Sequence, residues 1–564
     1  MNFIRFLKLY LAAVFISVST LNISSSSANV SLKNGNFFVA FTDILYSGGF
    51  ETKIERVYNS KTPFRGMFGW GWGNEYEVNL EVSADGSVVV HEYGGGAENR
   101  FSALNFSQSE LRAAVEAIGK VAQGLGLMGS ASQLSEYKQR LMSDARFRND
   151  EWAKFRAQGK IPARQLAVGT QLQSNRFSYQ FITKTREGYT RTLGDLGKTE
   201  NFDNEGRLVR ISDKNGNFIS FEYTSDKQVR KVVDNFNRKI FMEFNDRGLV
   251  SKLEGENGKK AVYTYNGDDE LVESKDVEGN VFSYRYDSAK RHNMIQVGYT
   301  DKTAMKIEYY GMDRQENVQS VTDRDGTVTE YDYEGSPNGK NGMGVSVTSK
   351  KGGQVLSSAK YQYLTKTKPT GEDWTYKLVT EVEGETIETT YNECCGLPLV
   401  IKQGKDETFF EYDKKGHVTR KTTPFEVTEL HYDPSVSKVD RVVNYKKSNK
   451  KNLTWSQFQY DPKGNLIFAK NSQGKGVKLI YDNSGRIRTL VDQNKEQINF
   501  KYNENSKPIQ ISDPALGSIE ITYNNSGDLK EVNSKTGKRV AAQVTKSFQS
   551  LLDIIKPAGV SLDF

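Results

Sequence analysis

Four histidines, two cysteines and a scatter of paired carboxylates are the groups on which catalytic or metal chemistry in this chain would have to rest. His91, His292, His417 and His431 are far apart, and no His-Glu-x-x-His or Gly-x-Ser-x-Gly segment joins any of them to a metal or nucleophile motif. Gly124-Leu-Gly-Leu-Met-Gly129 has dinucleotide-loop spacing, but it follows a helical stretch rather than a strand. Gly197-Lys198-Thr199 ends like a phosphate loop, yet Thr192 stands where the first Gly is required. Asp323 with Asp325, and Asp268 with Asp269, are spaced for Ca²⁺ or acid–base work, but a Ca²⁺ loop would want a ligand at Val321. An Asp ahead of a turn Gly more simply accepts bonds from its own backbone. An exposed turn also lacks the burial that lifts a carboxyl into the general-acid range. No catalytic residue, metal ligand or cofactor is therefore assigned. Cys394 and Cys395 are adjacent. In an oxidising compartment they are expected to form a vicinal disulfide, with free thiols or an intermolecular bridge as the alternatives.

The elements that would carry these groups are set by a repeat. Phe202, Tyr223, Phe244, Tyr265 and Tyr286 follow one another at 21-residue intervals, as do Tyr460, Tyr481, Tyr502 and Tyr523. Tyr391 and Tyr412 keep the spacing, Tyr432 follows at 20, and Tyr310 and Tyr333 keep a looser rhythm. Each unit alternates toward its aromatic, turns through a segment such as Asp482-Asn-Ser-Gly485, and alternates again. A second turn, such as Asp213-Lys-Asn-Gly216 or Asp276-Val-Glu-Gly279, closes it. Two short strands and two turns per unit predict an antiparallel meander over residues 175–535. One hairpin cannot bury its own apolar face, so neighbours must stack into a continuous coiled sheet. The recurring rings are expected chiefly as packing residues, with ligand stacking as the alternative.

Residues 29–105 read as a β domain of different texture, with an Asn34-Gly35 turn, alternation over Phe50–Tyr58, and Gly69-Trp70-Gly71-Trp72-Gly73. Residues 106–160 break the pattern. Ser107-Gln-Ser-Glu110 is a capping box, Leu111, Val115 and Ile118 keep helical spacing, and a second helical stretch runs from about Ser132 to Gln158. Residues 536–564 predict an amphipathic helix over Val540–Ile555, ended by Pro557.

Composition agrees with a two-faced sheet: 37% hydrophobic residues, yet 29 Tyr and 30 Phe. The net charge of +7 comes from 77 basic and 70 acidic residues, interspersed except for short pieces such as Lys446-Lys447 and Lys450-Lys451. No basic stripe or nucleic-acid motif is present, so nucleic acid is not an expected partner. Arg5 and Lys8 precede an apolar run over residues 9–18 and a Ser-rich stretch ending at Ala28, the layout of a signal peptide over residues 1–28. The run is shorter than the roughly 20 residues a span needs, so membrane contact is expected only during export. The destination is the periplasm, the cell surface or the medium.

Tyr-Asp pairs at 286–287, 331–332, 412–413, 432–433, 460–461 and 481–482, most with Gly three residues on, resemble the YD repeats of RHS proteins, the teneurin-like YD-shell family. Gly188-Tyr-Thr-Arg-Thr-Leu through Gly216 is similar to the start of such arrays. Val30-Ser-Leu-Lys-Asn-Gly, Arg56-Val-Tyr-Asn-Ser60 and Phe68-Gly-Trp-Gly-Trp72 resemble the domain that precedes them. The resemblance implies a spiral β-shell, open or closed, used either to hold a toxin or in surface contact and carbohydrate binding. About 30 residues follow the last repeat, which departs from the toxin-bearing pattern. The expected function is an exported, non-catalytic scaffold binding envelope glycan or peptidoglycan or mediating cell contact. A shell for a separately encoded protein cargo or toxin is the alternative, and an envelope hydrolase is a third reading. Trp70, Trp72, Tyr223, Tyr265, Tyr286, Tyr412, Tyr460, Tyr481, Tyr502 and Tyr523 are the candidate ligand or packing aromatics.

Overall fold

In the computed structural model the described residues are 27–46, 51–62, 64–92, 97–102, 108–162, 164–174, 180–194, 197–289, 291–335, 342–367, 373–393, 396–523, 529–533 and 537–555. They fall into two units, one of Gly73–Ser212 with Ser220–Glu222 and one containing the remainder.

In the first unit, strands Asn79–Val82, Val88–Glu92 and Ala97–Ser102 form an antiparallel meander. The chain then leaves the sheet for three helices, α1 (Gln108–Gly124), α2 (Ala131–Ser143) and α3 (Ala145–Ala157). It returns as Gln171–Ser174, which pairs with the strand it left, Gln173 opposite Ser102. The helical insert is thus a long excursion between two adjacent strands. Its apolar faces meet in a core of Val115, Ile118, Ala122, Leu141, Trp152 and Phe155. The second helical stretch read from the sequence is two helices. Asp144 breaks it, with extended backbone and a side chain that accepts the Phe147 amide at 2.9 Å, capping α3. Ser107 and its capping box lie outside the described residues, as do Pro557 and the pair Cys394–Cys395. The Gly124–Gly129 motif forms the end of α1 and the turn after it. Antiparallel strands Gln180–Lys184, Gly188–Leu193 and Lys198–Asp203 continue the sheet.

The second unit holds most of the repeat array. Successive strands from Val229–Asp234 to Leu529–Asn533 pair antiparallel with their sequence neighbours. The aromatic closing each unit sits at a register shift, as between Ile480 and Tyr481 or Lys501 and Tyr502. Gly485 there takes φ +77°, the left-handed geometry that this bulged turn requires. The Asp after the aromatic builds the turn: Asp482 Oδ1 accepts the amides of Ser484 and Arg486, and Oδ2 pairs with the Arg486 guanidinium at 2.6 Å. Asp413 and Asp461 bond in the same way.

The tyrosines are fixed at both ends. Each ring packs beside the sheet while its hydroxyl donates to a backbone carbonyl on the preceding unit. Tyr265 reaches Val250 (2.7 Å), Tyr286 Leu271 (2.9 Å), Tyr481 Leu466 (2.8 Å), Tyr502 Ile487 (2.7 Å) and Tyr523 Pro508 (2.8 Å), all 15 residues back. Tyr412 and Tyr460 do likewise with Pro398 and Val439. In the loosely spaced region the ladder position belongs to Tyr309, bonded to Met294, and not to Tyr310. Strand Ala304–Tyr309 ends one residue earlier than the spacing of Tyr-Tyr suggests.

The array also comes back against itself. Lys214 donates to the Gly464 carbonyl (2.7 Å), Asn215 and Asn465 exchange amide bonds, and Asn217 donates to Ser484 (2.9 Å), across 250 to 267 residues of sequence. The turn at 213–217 therefore lies on the turns at 461–465 and 482–486, and open-ended stacking gives way to a ribbon that touches its own later units. Tyr502→Phe keeps the ring but leaves the Ile487 carbonyl without its partner. It is expected to cost about 1 kcal/mol in urea unfolding, and an unchanged midpoint would show that the hydroxyl ladder contributes nothing.

Candidate functional site

Directly paired residues of an antiparallel sheet share a face, so register traces one face through the array. In the second unit, Tyr263 pairs with Ser274 and Ser274 with Phe282. Tyr284 then pairs with Val297, Val297 with Met305, and Ile307 with Val321. The same face continues through Thr329 and Tyr331 to Val347, through Val345 to Tyr361, and on through Ile401 and Thr408 to Thr428 and Leu430. From Leu430 it passes through Val442 to Phe458, Leu479 and Phe500.

At its beginning this face is covered by an N-terminal sheet of β1 (Ser27–Ser31), β2 (Asn36–Tyr46) and β3 (Thr52–Asn59). Arg56 on β3 is fully buried and grips Asp43 of β2 through Nε (2.5 Å) and Nη2 (2.9 Å). It also reaches Ser274 Oγ at 3.1 Å, on the array. The rings of Trp72, Tyr263, Phe41, Phe68 and Tyr284 surround its guanidinium at 4.8–5.9 Å. Burial is the largest influence on Arg56 and opposes its charge. Asp43, with Tyr284 and Tyr263, outweighs it and holds the group charged. Tyr58 ties β3 to the array by donating to His292 O (2.6 Å) and accepting from Met294 N (2.9 Å).

The Trp-Gly segment clips onto the same strands. Trp72 is buried and donates to Tyr286 Oη at 2.9 Å, while Trp70 stacks on His292 at 4.6 Å with planes 6° apart. A Cβ on Gly69 would meet the Asp269 carbonyl at 2.4 Å, so only Gly allows that approach. Trp70 and Trp72 are thus brought together as packing residues.

At its far end the face is covered by α4 (Gly537–Ile555). Val540, Ala541, Val544 and Ile554 join the core of Leu430, Phe458, Val477, Leu490 and Phe500, and Ser456 donates to the Ile554 carbonyl at 2.5 Å. Lys546 pairs with Glu496 at 3.2 Å.

Between these covers, over residues 328–412, the face is richest in rings and least buried. Tyr331, Tyr333, Tyr361, Tyr363 and Phe410 are all only half-buried, among Met343, Val347, Leu378, Ile387 and Ile401. Val345 is the buried exception. Burial pushes the Tyr331 and Tyr333 hydroxyls upward, so both stay neutral. Tyr333 Oη has no hydrogen-bond partner among the described residues. The opposite face of these strands is charged and cross-linked by Lys350–Glu330, Lys377–Glu388 and Lys402–Glu407. An apolar, ring-lined face set against an ion-paired one can hold apolar or polypeptide material without selecting a particular shape.

The sequence located the ladder tyrosines, and the structure commits Tyr265, Tyr286, Tyr412, Tyr460, Tyr481, Tyr502 and Tyr523 to carbonyl bonds. Tyr223 closes strand Phe218–Tyr223. The half-buried rings between the two covers carried no regular spacing, because strands there lengthen to as many as 14 residues in Gln354–Thr367. Their signal was the alternation in Ala359-Lys-Tyr-Gln-Tyr363. Among the described residues no group of three or more His, Cys, Asp or Glu is placed to hold a metal.

A mainly β array of Tyr-Asp hairpins, with segments of the same chain laid on one face, defines a YD-repeat protein. Residues 433–559 match the family model described as the Teneurin YD-shell, and residues 27–101 match a domain of unknown function (DUF6531). Over residues 433–559 the array is thus similar to the teneurin YD-shell, in agreement with the RHS/YD resemblance carried by its Tyr-Asp repeats. The tRNA nuclease WapA of Bacillus subtilis (strain 168) is 25% identical over 317 residues, 52% of this chain and 12% of that protein. The crystal structure of TcdB2-TccC3 without its hypervariable C-terminal region has a TM-score of 0.44 at 12% identity, over 91% of this chain and 28% of that one. The Photorhabdus luminescens Tc holotoxin pore gives 0.42 at 12% identity, over 88% and 27%. The chain thus matches 12% of the curated relative's length and under a third of the solved chains.

Arg56→Met leaves Asp43 buried without its partner and is expected to cost about 3–5 kcal/mol. Denaturant unfolding followed by Trp fluorescence reads the loss, since Trp70 and Trp72 sit in the covered region. A change below about 1 kcal/mol would show that the ion pair does not anchor the sheet.

Proposed function

We propose that this chain is an exported, non-catalytic β-shell that encloses a separately encoded protein cargo, with the ring-lined face over residues 328–412 as the contact surface. One observation carries the reading. The face that the chain covers with its own β1–β3 sheet and its own α4 continues between them as an aromatic surface covered by no described element of that unit. A polypeptide cargo is the occupant that suits it, because tyrosines offer broad apolar contact and a hydroxyl without demanding one sequence. This reading takes precedence over the glycan scaffold expected from the sequence. The rings lie among Met343, Val347, Leu378, Ile387 and Ile401, and their polar neighbours on the traced face are chiefly the hydroxyls of Thr329, Thr380, Thr389 and Thr408, a lining in which apolar contact predominates. Export rests on the signal-like residues 1–28 and belongs to the same proposal.

The test is isolation of the native protein carrying a photo-crosslinking residue at Tyr361 or, on the opposite face, at Lys360. The expected result is one stoichiometric polypeptide crosslinked from position 361 and not from 360. Co-eluting saccharide with no polypeptide, or equal crosslinking from both faces, would contradict the shell reading.

A further inference from the structure

The strand pair Lys438–Lys446 and Asn449–Tyr460 departs from the repeat in length and charge. Its strands have 9 and 12 residues against 6 in the following Leu466–Asn471, so the hairpin outreaches that neighbouring repeat. A two-residue turn, Lys447-Ser448, forms its tip. Lys446, Lys447, Lys450 and Lys451 are all exposed and make no ion pair among the described residues. Other lysines of the unit are matched across strands, as Lys252 is with Glu243, or Lys350 with Glu330. Two carboxylates lie near the tip. Glu426 is opposite Lys446 in register, and Glu429 is held by the Tyr445 hydroxyl at 2.8 Å. A chain whose whole net charge is +7 therefore gathers into six residues four positive charges outside any ion pair among the described residues, one of them, Lys450, lying over the Tyr445 ring at 5.1 Å.

Apolar groups stand at the same end. The Lys447 amide donates to the Phe425 carbonyl at 2.8 Å, which fixes the preceding turn beside the lysine tip. Phe425 is 72% exposed and Leu453 44%. Behind them Val427, Val443 and Tyr445, with Trp455 against them, form a small cluster of their own that makes the hairpin a firm support.

The geometry points to this tip as a docking surface for an anionic lipid bilayer, with the four lysines over the headgroups and Phe425 inserted at the interface. Lysines alone would suit any polyanion. An exposed ring whose backbone is bonded in place next to them suits a phase that offers both negative charge and hydrocarbon. This inference is independent of the shell reading, and it extends membrane contact beyond the export step.

The full chain is tested by flotation with phosphatidylcholine vesicles, and with vesicles in which phosphatidylglycerol is mixed. Binding to the mixed vesicles alone, weakened by salt, is expected. Replacing the four lysines with Ser should lower the partition coefficient by about 100-fold or more, and Phe425→Ser by about fivefold. All of these positions are exposed, and circular dichroism confirms that each variant is folded. Lys350→Ser with Lys351→Ser is the control and should bind as the parent does. The proposal is overturned if neutral vesicles bind equally, if the quadruple variant binds unchanged, or if the control pair loses as much. It is also overturned if soluble polyphosphate binds as tightly and Phe425→Ser has no effect, since the ligand would then be a polyanion and not a membrane.

Discussion

A hairpin of two six-residue strands has an apolar side and nothing of its own to set against it, and the remaining features of this chain answer that deficit. Ile240 and Met242, or Val477 and Leu479, point to one face while Phe241, Glu243 and Lys478 point to the other. Stacking the hairpins edge to edge satisfies the backbone but leaves the apolar face bare along its length. The chain covers the beginning of that face with β1–β3 and the end with α4. Between them it substitutes half-buried aromatics for aliphatic core. The functional reading follows from where the covering stops.

The two covers are fastened by different chemistry. Helix α4 is held by burial of Val540, Val544 and Ile554, an attachment that needs no particular partner geometry. The N-terminal sheet is held by Arg56, whose charge could not be buried without Asp43, Ser274 and a ring of aromatics. That arrangement admits one seating, because the guanidinium must meet a carboxylate on its own sheet and a hydroxyl on the array together.

Much of this was legible in the sequence. The recurrence of Tyr at fixed spacing predicted the hairpins, and Asp-x-x-Gly predicted the turns whose amides Asp482 now accepts, because both depend on neighbours within a few residues. The spacing misplaced one rung, choosing Tyr310 over Tyr309, since an aromatic pair satisfies the pattern at either position and only the strand end decides. It also ran two helices together across Asp144, where a residue that reads as a polar helix surface is in fact a cap. The candidate surface was less accessible. That Tyr331, Tyr361 and Tyr363 share a face with Tyr284 and Leu430 is a statement about register across many strands. Irregular strand lengths between residues 328 and 412 erase the period from which it could be read. The pairing of Arg56 with Ser274 spans 218 residues and left no local trace beyond the Arg-Val-Tyr segment itself.

The central claim is that, among the described residues of the second unit, one face of the array is sealed at its ends by the chain's own segments and uncovered between them. Amide hydrogen exchange on the intact chain, without cargo, tests it most directly. The account predicts slow exchange in the covered strands Lys239–Phe244, Val281–Tyr286 and Gly476–Tyr481, and markedly faster exchange in Gln354–Thr367 and Asp373–Val382. Equal protection along the array, or the slowest exchange in the central strands, would contradict it.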